Sequence, residues 1–456
     1  MVFPGPRAVK YLERRRRYYA TSTDSSRVIP DPDRYEGSFI FDVDGNKFLD
    51  LHCGASVATL PASMSIRKAA GYQLMRGRFT EHHSNPNPGG IDAAEFLAKL
   101  SPVKKPSKVF FSNSGTEANE AARKLCEAYR YHRGEKERRS RAIYFLNGFA
   151  GRTHGSLVAT TSKPETQRNP YWDHCDEINS LYLPFPQKGK GWRVFRTLFA
   201  EEKDLFGKPL KLAEVDRLLI ELPCQGEGGV LPVDEDGLRL IYEKTQKAGV
   251  IFIADVIQCG MGRTGTLFGC DIFPWLKPDI MTMGKALAGG ISPVGATIFR
   301  ADLDWKRGEH SNTFGGNPLA MTAALAALAE TEHLIKEGVV EKLAKDLEAG
   351  LQSLAQNFPD FILEIRGLGA MWAMELINSG AKERLIEIGE EMVNETGCGL
   401  LLLGAGNVHN PNSAVRLMPP LTISEEELKL AFELLMKAFA TLRKEVERSL
   451  TTSFVR

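Results

Sequence analysis

The sequence lacks the features that mark membrane, secreted and nucleic-acid-binding proteins. No run approaches the roughly 18 consecutive apolar residues that a membrane-spanning helix needs. The first residues lack the apolar segment of a secretory signal, so we expect no signal peptide. The formal net charge is +1, which gives no reason to expect a polyanionic partner.

Cysteine is scarce and scattered. None of the seven cysteines forms a close pair with zinc-ligand spacing, so no metal site is predicted. A reduced, cytoplasmic compartment is the simplest interpretation. The positions are Cys53, Cys126, Cys175, Cys224, Cys259, Cys270 and Cys398.

The bulk composition is that of an ordinary globular protein, with 43% hydrophobic and 25% charged residues. With 456 residues, the chain is too long for one ordinary core, so two or more domains are expected. The arginine run at 14–17 could be a nucleic-acid patch, but one solvated face of a helix over about 6–19 is favoured.

Apolar, β-rich runs alternate with helical patterns through the middle of the chain. This alternation predicts an α/β fold with a mostly parallel sheet that is covered on both faces. Ligands of such sheets bind beyond the carboxyl ends of the strands. The predicted strands are 108–112, 141–146, 218–222, 250–255, 279–283 and 296–300, and the predicted helices are 116–131, 236–248 and one that begins near 317–318.

The two ends of the chain have a different character. Residues 38–51 alternate around an Asp-Gly-Asn turn, which predicts a hairpin. Short strands at 369–376 and 414–418 alternate with helical patterns, and a last helix is predicted over 424–449. We therefore expect a smaller α+β domain built from residues 1–70 and 331–456, packed on a large domain over 71–330.

A lysine follows one predicted strand, and an aspartate ends another. Lys285 ends the run Asp-Ile-Met-Thr-Met-Gly-Lys, and Asp255 ends Ile-Phe-Ile-Ala-Asp. The pair suits pyridoxal phosphate, because the lysine can form a Schiff base with the cofactor's aldehyde and the carboxylate can pair with its ring nitrogen. Alone, this is a weak signal, since most strand-end lysines are merely solvated.

Ser114, Gly115 and Thr116 join a predicted strand to a helix. Backbone N–H groups at a helix start, with the helix dipole behind them, form an anion site for a phosphate. Alternatively, Ser114 simply caps the helix and Glu117 completes a capping box. Both can hold at once.

Further candidate side chains lie in loops and apolar runs. Phe149 either stacks on a cofactor ring or belongs to the core, and Arg152 either binds a substrate carboxylate or forms a loop ion pair. Glu227 lies in a glycine-rich turn, and Arg416 is flanked by apolar residues. A buried arginine is usually ion-paired, so Arg416 is expected to have a carboxylate partner.

Residues 260–265 match G-x-G-x-x-G, the dinucleotide-binding fingerprint of nicotinamide-dependent oxidoreductases. That fingerprint requires a helix to begin there, whereas the following segment contains Gly269 and Pro274 and has no helical period. An oxidoreductase is therefore kept only as the rival function.

Five motifs are decisive together: Asn-Ser-Gly-Thr-Glu-Ala, Gln-Gly-Glu-Gly-Gly, Ala-Asp-x-x-Gln-x-Gly-x-Gly-Arg-Thr-Gly, Gly-Lys-Ala-Leu-Ala-Gly-Gly and Thr-Phe-Gly-Gly-Asn-Pro-Leu. In this order they resemble the class III, or omega-amino-acid type, pyridoxal-phosphate aminotransferases of fold type I. The likeness covers nearly the whole chain. It implies transamination of an omega-amino acid with 2-oxoglutarate to give glutamate.

The resemblance also implies roles for individual residues in cofactor binding. Thr313 would reach the phosphate of the other subunit's cofactor, which implies a homodimer with shared active sites. The other implied contacts are Lys285 to the aldehyde, Asp255 to the ring nitrogen, Gln258 near the phenolic oxygen, Phe149 and Ile257 on opposite ring faces, and Ser114, Gly115 and Thr116 around the phosphate.

For the substrate, the resemblance assigns Arg416 to the α-carboxylate of glutamate or 2-oxoglutarate. Glu227 would mask this arginine while a substrate without that carboxylate is bound, and Arg152 would take a distal carboxylate. The amino donor stays open among 4-aminobutyrate, ornithine, lysine, acetylornithine and related ω-amines. Amino-acid racemisation stays open as the alternative within the same chemistry. Cofactor binding without catalysis is a third possibility, but the intact set of Lys285, Asp255 and Gln258 argues against it.

The chain departs from the family's pattern at three positions. Val256 and Leu222 stand where the family usually has glutamates, although Glu221 could serve for the second. Ala150 replaces the usual histidine. The cofactor residues are untouched, so these departures bear on donor specificity.

Overall fold

The computed structural model describes residues 3–23, 26–61, 63–77, 85–135, 141–174, 180–187, 195–197, 199, 203–204, 207, 209–405 and 413–453. Within them, the helices α1–α12 are Pro6–Tyr18, Cys53–Ser56, Met64–Arg76, Pro88–Leu100, Gly115–His132, His154–Leu157, Glu235–Lys247, Pro318–Lys336, Val339–Asn357, Ser379–Glu391, Val393–Thr396 and Glu425–Ser453. The strands β1–β17 are Pro30–Glu36, Phe39–Asp42, Lys47–Asp50, Ser107–Ser112, Arg141–Phe145, Leu181–Leu183, Val215–Glu221, Cys224–Gln225, Leu231–Pro232, Ile251–Asp255, Ile280–Met283, Gly295–Arg300, Ile362–Leu368, Met371–Leu376, Cys398–Leu401, Leu403–Ala405 and Ala414–Leu417.

The largest sheet has seven strands in the order β4-β12-β11-β10-β7-β5-β6. β10 pairs in parallel with β7 and β11, and β5 pairs in parallel with β7 and β6. Only β12 is antiparallel, to both β11 and β4, so the other six strands run in one direction. The predicted α/β fold with a mostly parallel sheet is confirmed.

Helices cover both faces of this sheet, as the continuous apolar runs predict. In β10, Ile251 and Ile253 belong to a core cluster with Ala121, Ala122 and Leu125 of α5. The alternate residues Phe252 and Ala254 belong to a second cluster with Leu238 and Ile241 of α7. Side chains of a strand alternate between faces, so the two clusters lie on opposite sides of the sheet.

The two ends of the chain share one small sheet. The predicted hairpin is confirmed, because β2 pairs antiparallel with β3, and β15 from the C-terminal part pairs in parallel with β3. A second four-stranded sheet, β13-β14-β17-β16, lies wholly in the C-terminal part. The division of the chain at residues 70 and 330 remains a prediction.

Two N-terminal features depart from or refine the prediction. β1, over Pro30–Glu36, was missed because its residues are mostly exposed and include two prolines. The predicted first helix is present as α1, with Arg14, Arg16 and Arg17 exposed to solvent. Among the described helices, none is both long and apolar enough to cross a membrane.

The G-x-G-x-x-G segment at 260–265 forms turns and opens no helix. Arg263, inside this segment, is fully buried and donates hydrogen bonds to the carbonyls of Ala370 and Pro419. The segment therefore lacks the helix start that would hold a dinucleotide's pyrophosphate, and it joins the large sheet to the C-terminal part instead.

Candidate active site

The carboxyl ends of β4, β5, β7, β10 and β11 surround a cavity of about 290 Å³. This volume is near the lower end of the range of roughly 300–1,000 Å³ that is typical of small-molecule sites. Arg416 does not line the cavity, but it forms an ion pair with Glu227, which does. Thr313 is exposed to solvent and does not line the cavity. The sequence-predicted residues that line the cavity are Ser114, Gly115, Thr116, Phe149, Arg152, Glu227, Asp255, Ile257, Gln258 and Lys285.

Asp255 ends β10 and is held by two donors. Its Oδ2 accepts a hydrogen bond from Asn119 Nδ2 at 2.8 Å, and its Oδ1 accepts one from the backbone N–H of Ile257 at 2.9 Å. Burial raises the pKa of the Asp255 carboxyl to about 6. A cation beside it would offset that cost, so the site suits a protonated ring nitrogen.

Sequence reasoning missed Asn119 as a site residue. Its Nδ2 also donates to the carbonyl of Ala150 at 2.9 Å, and its Oδ1 accepts from the Thr282 hydroxyl at 2.9 Å. These bonds fix the amide orientation, so Asn119 presents a donor to Asp255. The available signal was its place on α5, directly after the Asn-Ser-Gly-Thr-Glu-Ala motif and about one turn after Thr116.

Lys285 begins a short 3₁₀ turn directly after β11, with φ of +46°. Burial lowers the pKa of its amine, and the negative charge of Glu227 acts in the opposite direction. A lowered pKa increases the fraction of the Lys285 amine that is neutral, and the neutral amine is the nucleophilic and basic form.

The start of α5 forms the anion end of the cavity. The first N–H groups of this 18-residue helix have no partner within the helix, so they can bind an oxyanion. A Cβ at Gly115 would lie 2.8 Å from Cγ2 of Ile257, so only glycine fits at this close approach. The Thr116 hydroxyl lies 2.9 Å from that of Ser156.

Ser114 also caps α5, as the alternative prediction has it. The N–H of Glu117 donates to Ser114 Oγ at 3.3 Å. The second half of the capping box was wrong, because the Glu117 carboxylate accepts from the N–H of Asn113 at 2.8 Å. Glu117 therefore reaches the N–H one residue before Ser114.

Phe149 and Ile257 are half-buried and give the cavity two apolar surfaces. Gln258 is buried, and its Nε2 donates to the carbonyl of Ala55 at 3.3 Å. Arg152 is exposed, with its guanidinium carbon 6.0 Å from the centre of the Phe149 ring. Neither the core role for Phe149 nor an ion pair for Arg152 is seen among the described residues.

Arg416 has the carboxylate partner that its burial requires. Its Nη1 lies 2.8 Å from Oε1 of Glu227, and its Nη2 donates to the carbonyl of Gly404 at 3.0 Å. Burial alone would raise the pKa of Glu227, but the charges of Arg416 and Lys285 outweigh it and hold that pKa below its usual range. The buried Nε of Arg416 has no hydrogen-bond partner within the described part of the chain.

Glu221 is the cavity residue that the sequence offered only as an alternative. It ends β7, beside Asp255 in the sheet register, and accepts from the N–H groups of Phe149 at 2.9 Å and Gly226 at 3.2 Å. Burial and the negative charge of Asp255 raise its pKa to about 8. Leu222, one residue later, is fully buried.

The other two departures are also apolar core positions. Val256 is 1% exposed and Ala150 is 2% exposed.

Cys259 lines the cavity, and its Sγ lies 3.5 Å from that of Cys224. The described cysteines are free and buried, and Cys175 lies outside the described residues.

The contribution of Glu221 to the stability of the cofactor-free protein should fall as pH rises from about 5 to 8. The folded-state pKa of Glu221, about 8, lies above its unfolded value of about 4.3, so the folded state binds more protons in this window. The loss is at most about 1.4 kcal/mol per pH unit for this group. Glu221→Gln should flatten the dependence in urea unfolding, whereas Glu348→Gln, exposed on α9, should not. Equal slopes in Glu221→Gln and wild type would contradict this assignment.

Comparison with known proteins gives a consistent result. The model of the aminotransferase class-III family matches residues 20–439. The acetylornithine aminotransferase of Methanocaldococcus jannaschii is 31% identical over 418 residues, covering 90% of this chain and 93% of that protein. The putrescine aminotransferase of Pectobacterium atrosepticum is 34% identical over 420 residues, with coverages of 89% and 82%.

A solved structure shows the same fold. The ornithine aminotransferase of Toxoplasma gondii, described with pyridoxal phosphate at its active site, aligns with a TM-score of 0.79 and 24% identity, covering 96% of this chain and 95% of that one. The lysine, the buried carboxylate and the helix start described above fit the aldehyde, ring nitrogen and phosphate of that cofactor. This chain belongs to the class-III aminotransferases, enzymes that use pyridoxal phosphate.

Proposed function

We propose that this enzyme transfers the amino group of an ω-amine to 2-oxoglutarate and so forms glutamate. The observation that carries the proposal is the buried Arg416–Glu227 ion pair beside the cavity that contains Lys285. The names of the relatives, acetylornithine and putrescine aminotransferases, support donors with a terminal amine.

The cavity offers a complementary group for each part of the cofactor. When bound, pyridoxal phosphate supplies an electron sink for the negative charge that develops on the substrate carbon. Asp255, oriented by Asn119, would keep a proton on the ring nitrogen. Gln258 would hold the phenolic oxygen, Phe149 and Ile257 would contact the ring, and Ser114, Gly115 and Thr116 would hold the phosphate.

Lys285 has two tasks in this proposal. Its amine would attach the cofactor, and its Nζ would take the proton from the substrate carbon that bears the nitrogen. A general base needs to be neutral at working pH, and burial of Lys285 favours that form.

Arg416 and Glu227 adapt the site to two kinds of substrate. With a donor that has no carboxylate beside the reacting carbon, Glu227 neutralises Arg416. With 2-oxoglutarate, the α-carboxylate replaces Glu227 on the guanidinium. The buried charge thus has a partner in both complexes, which avoids the large cost of an unpaired buried ion. Arg152, exposed at the cavity and in no ion pair among the described residues, can bind a distal carboxylate.

Glu227→Gln should separate the two half-reactions. The neutral amide leaves Arg416 without a charge partner when the donor binds, so kcat/KM for the donor should fall by about 10–100-fold. The KM for 2-oxoglutarate should stay level or fall, because no carboxylate competes with it. Single-turnover measurements of each half-reaction test this, and equal losses in both would contradict the exchange.

A donor panel tests the proposed function. The holoenzyme is incubated with 2-oxoglutarate and, in turn, 4-aminobutyrate, ornithine, lysine, acetylornithine or putrescine, and glutamate is quantified. Chiral analysis of neutral α-amino acids, with and without 2-oxoglutarate, distinguishes racemisation. Glutamate from none of the donors, together with inversion that needs no 2-oxoglutarate, would overturn the proposal.

We also propose a homodimer with shared active sites. Thr313 is exposed and outside its own cavity, and the adjacent Phe314 is 53% exposed in the single chain. A second subunit packed over this segment would explain why Thr313 and Phe314 are exposed in the single chain. A monomeric mass in light scattering would contradict this proposal.

The cytoplasmic location and the domain division are further proposals. The free state of the described cysteines supports a reduced compartment. The pairing of β15 with β3 supports a small domain built from both chain ends, residues 1–70 and 331–456.

A further inference from the structure

Glu227 lies on a tight turn, defined here as residues 226–230, between the paired strands β8 and β9. The carbonyl of Gly226 accepts hydrogen bonds from the N–H groups of Gly229 and Val230, each at 3.2 Å. Gly229 and Val230 both have positive φ, of +102° and +55°. The position of the Glu227 carboxylate therefore depends on an unusual backbone conformation, which its surroundings must maintain.

Arg366 of β13 contacts the far side of this turn. Its Nε donates to the carbonyl of Gly229 at 2.7 Å, and its side chain is only 10% exposed. A Cβ at Gly229 would lie 2.6 Å from Arg366 Nη2, so the turn and the guanidinium are in close contact. The guanidinium also pairs with Glu375 of β14, which in turn accepts from the Ser413 hydroxyl. These bonds fix the direction in which Arg366 donates.

Arg366 and Arg416 belong to one face of one sheet. Ala373 of β14 lies opposite Arg366 on one side and opposite Arg416 of β17 on the other. Directly opposed residues of neighbouring strands share a face, so both arginines extend from the same surface. One binds the carboxylate of Glu227, and the other binds the carbonyl of Gly229 two residues later.

We propose that Arg366 is a positioning residue that anchors the 226–230 turn. With the Gly229 carbonyl fixed, Glu227 exchanges with a substrate carboxylate on Arg416 by side-chain rotation, and the backbone returns it to Arg416 when the carboxylate leaves. This inference rests on the proposed function, because it concerns the same exchange. Without Arg366, the Glu227 carboxylate can occupy more positions away from Arg416. It then competes less strongly with a substrate carboxylate for Arg416.

Binding of glutarate to the holoenzyme tests the anchor. Glutarate is a non-reactive dicarboxylate that resembles 2-oxoglutarate, and its Kd is read from the absorbance of the bound cofactor. In Arg366→Met, the weakened competitor should lower this Kd by about threefold to tenfold. General damage to the site would raise the Kd, so the two explanations predict opposite signs.

Arg130→Met is the matched control. Arg130 resembles Arg366, which bonds the carboxylates of Glu375 and Glu364 and one carbonyl. Arg130 likewise bonds two carboxylates, those of Asp216 and Glu135, and the carbonyl of Gly249, but it lies away from the cavity. It should lose comparable thermal stability and keep its glutarate Kd within twofold. Arg366→Lys keeps the positive charge but loses the planar set of guanidinium donors, so it should lower the glutarate Kd by less than Arg366→Met does. If the methionine variant does not fold, the result for the lysine variant decides.

An unchanged or higher glutarate Kd in the Arg366 variants would overturn the anchor while leaving the proposed function in place. Failure of the wild-type enzyme to bind glutarate would instead overturn the proposed role of Arg416, and this inference with it.

Discussion

Lys285→Ala is expected to lower the amino-transfer rate by about 10⁴-fold or more, and the cofactor should remain bound without a covalent link. The lysine supplies both the attachment and the base, and a positioned base alone contributes about 10²–10⁴-fold. No other lysine lines the cavity within the described residues. The remaining contacts at the ring nitrogen and the phosphate should retain the cofactor.

Single-turnover absorbance with a donor measures this loss. Borohydride reduction followed by mass spectrometry should find the cofactor on the peptide that contains Lys285 in the wild type and on no peptide in the variant. Lys277→Ala, which removes an exposed lysine, should turn over normally. Added methylamine should restore part of the lost rate, because the missing side chain leaves room for a small base. Near-wild-type turnover in Lys285→Ala would refute the assignment.

The sheet and most of the cavity were predictable because they depend on local patterns. Each predicted site residue other than Thr313 and Arg416 lies at the end of a strand or shortly after it, and parallel strands bring such ends together. The five residues of β10 are buried without exception, which is why its apolar run was recognisable. β6 was missed because a strand of three residues is too short to show a hydrophobic pattern.

The contacts that orient the site were not predictable, because they join distant parts of the chain. Asn119 and Asp255 are 136 positions apart, and Arg366 and Gly229 are 137 apart. Nothing local marks either pair. Glu221 shows the same limit, since only the register of β7 against β10 establishes that it, and not the neighbouring position 222, faces the cavity.

Asp255→Asn should lower the rate by about 10²–10³-fold at saturating substrate, which is the usual cost of losing one oriented charge at a reacting centre. An amide has no negative charge to keep the ring nitrogen protonated, so the electron sink is weakened. The pKa of Asp255, raised to about 6 by burial, should fall once a ring N–H cation lies beside it, so the carboxylate is charged at working pH. The variant's rate should therefore not recover at any pH between 6 and 9.

Asp279→Asn provides the control for damage to the fold. Asp279 is likewise a buried aspartate, directly before the first residue of β11, but it pairs with Lys104 at 2.7 Å and Arg300 at 2.9 Å, away from the cavity. Breaking these pairs should lower the melting temperature at least as much as Asp255→Asn does, with the rate per bound cofactor unchanged. If Asp255→Asn kept its rate within threefold of the wild type, the electron-sink role of this carboxylate would be excluded, because its only measurable contribution would then be structural.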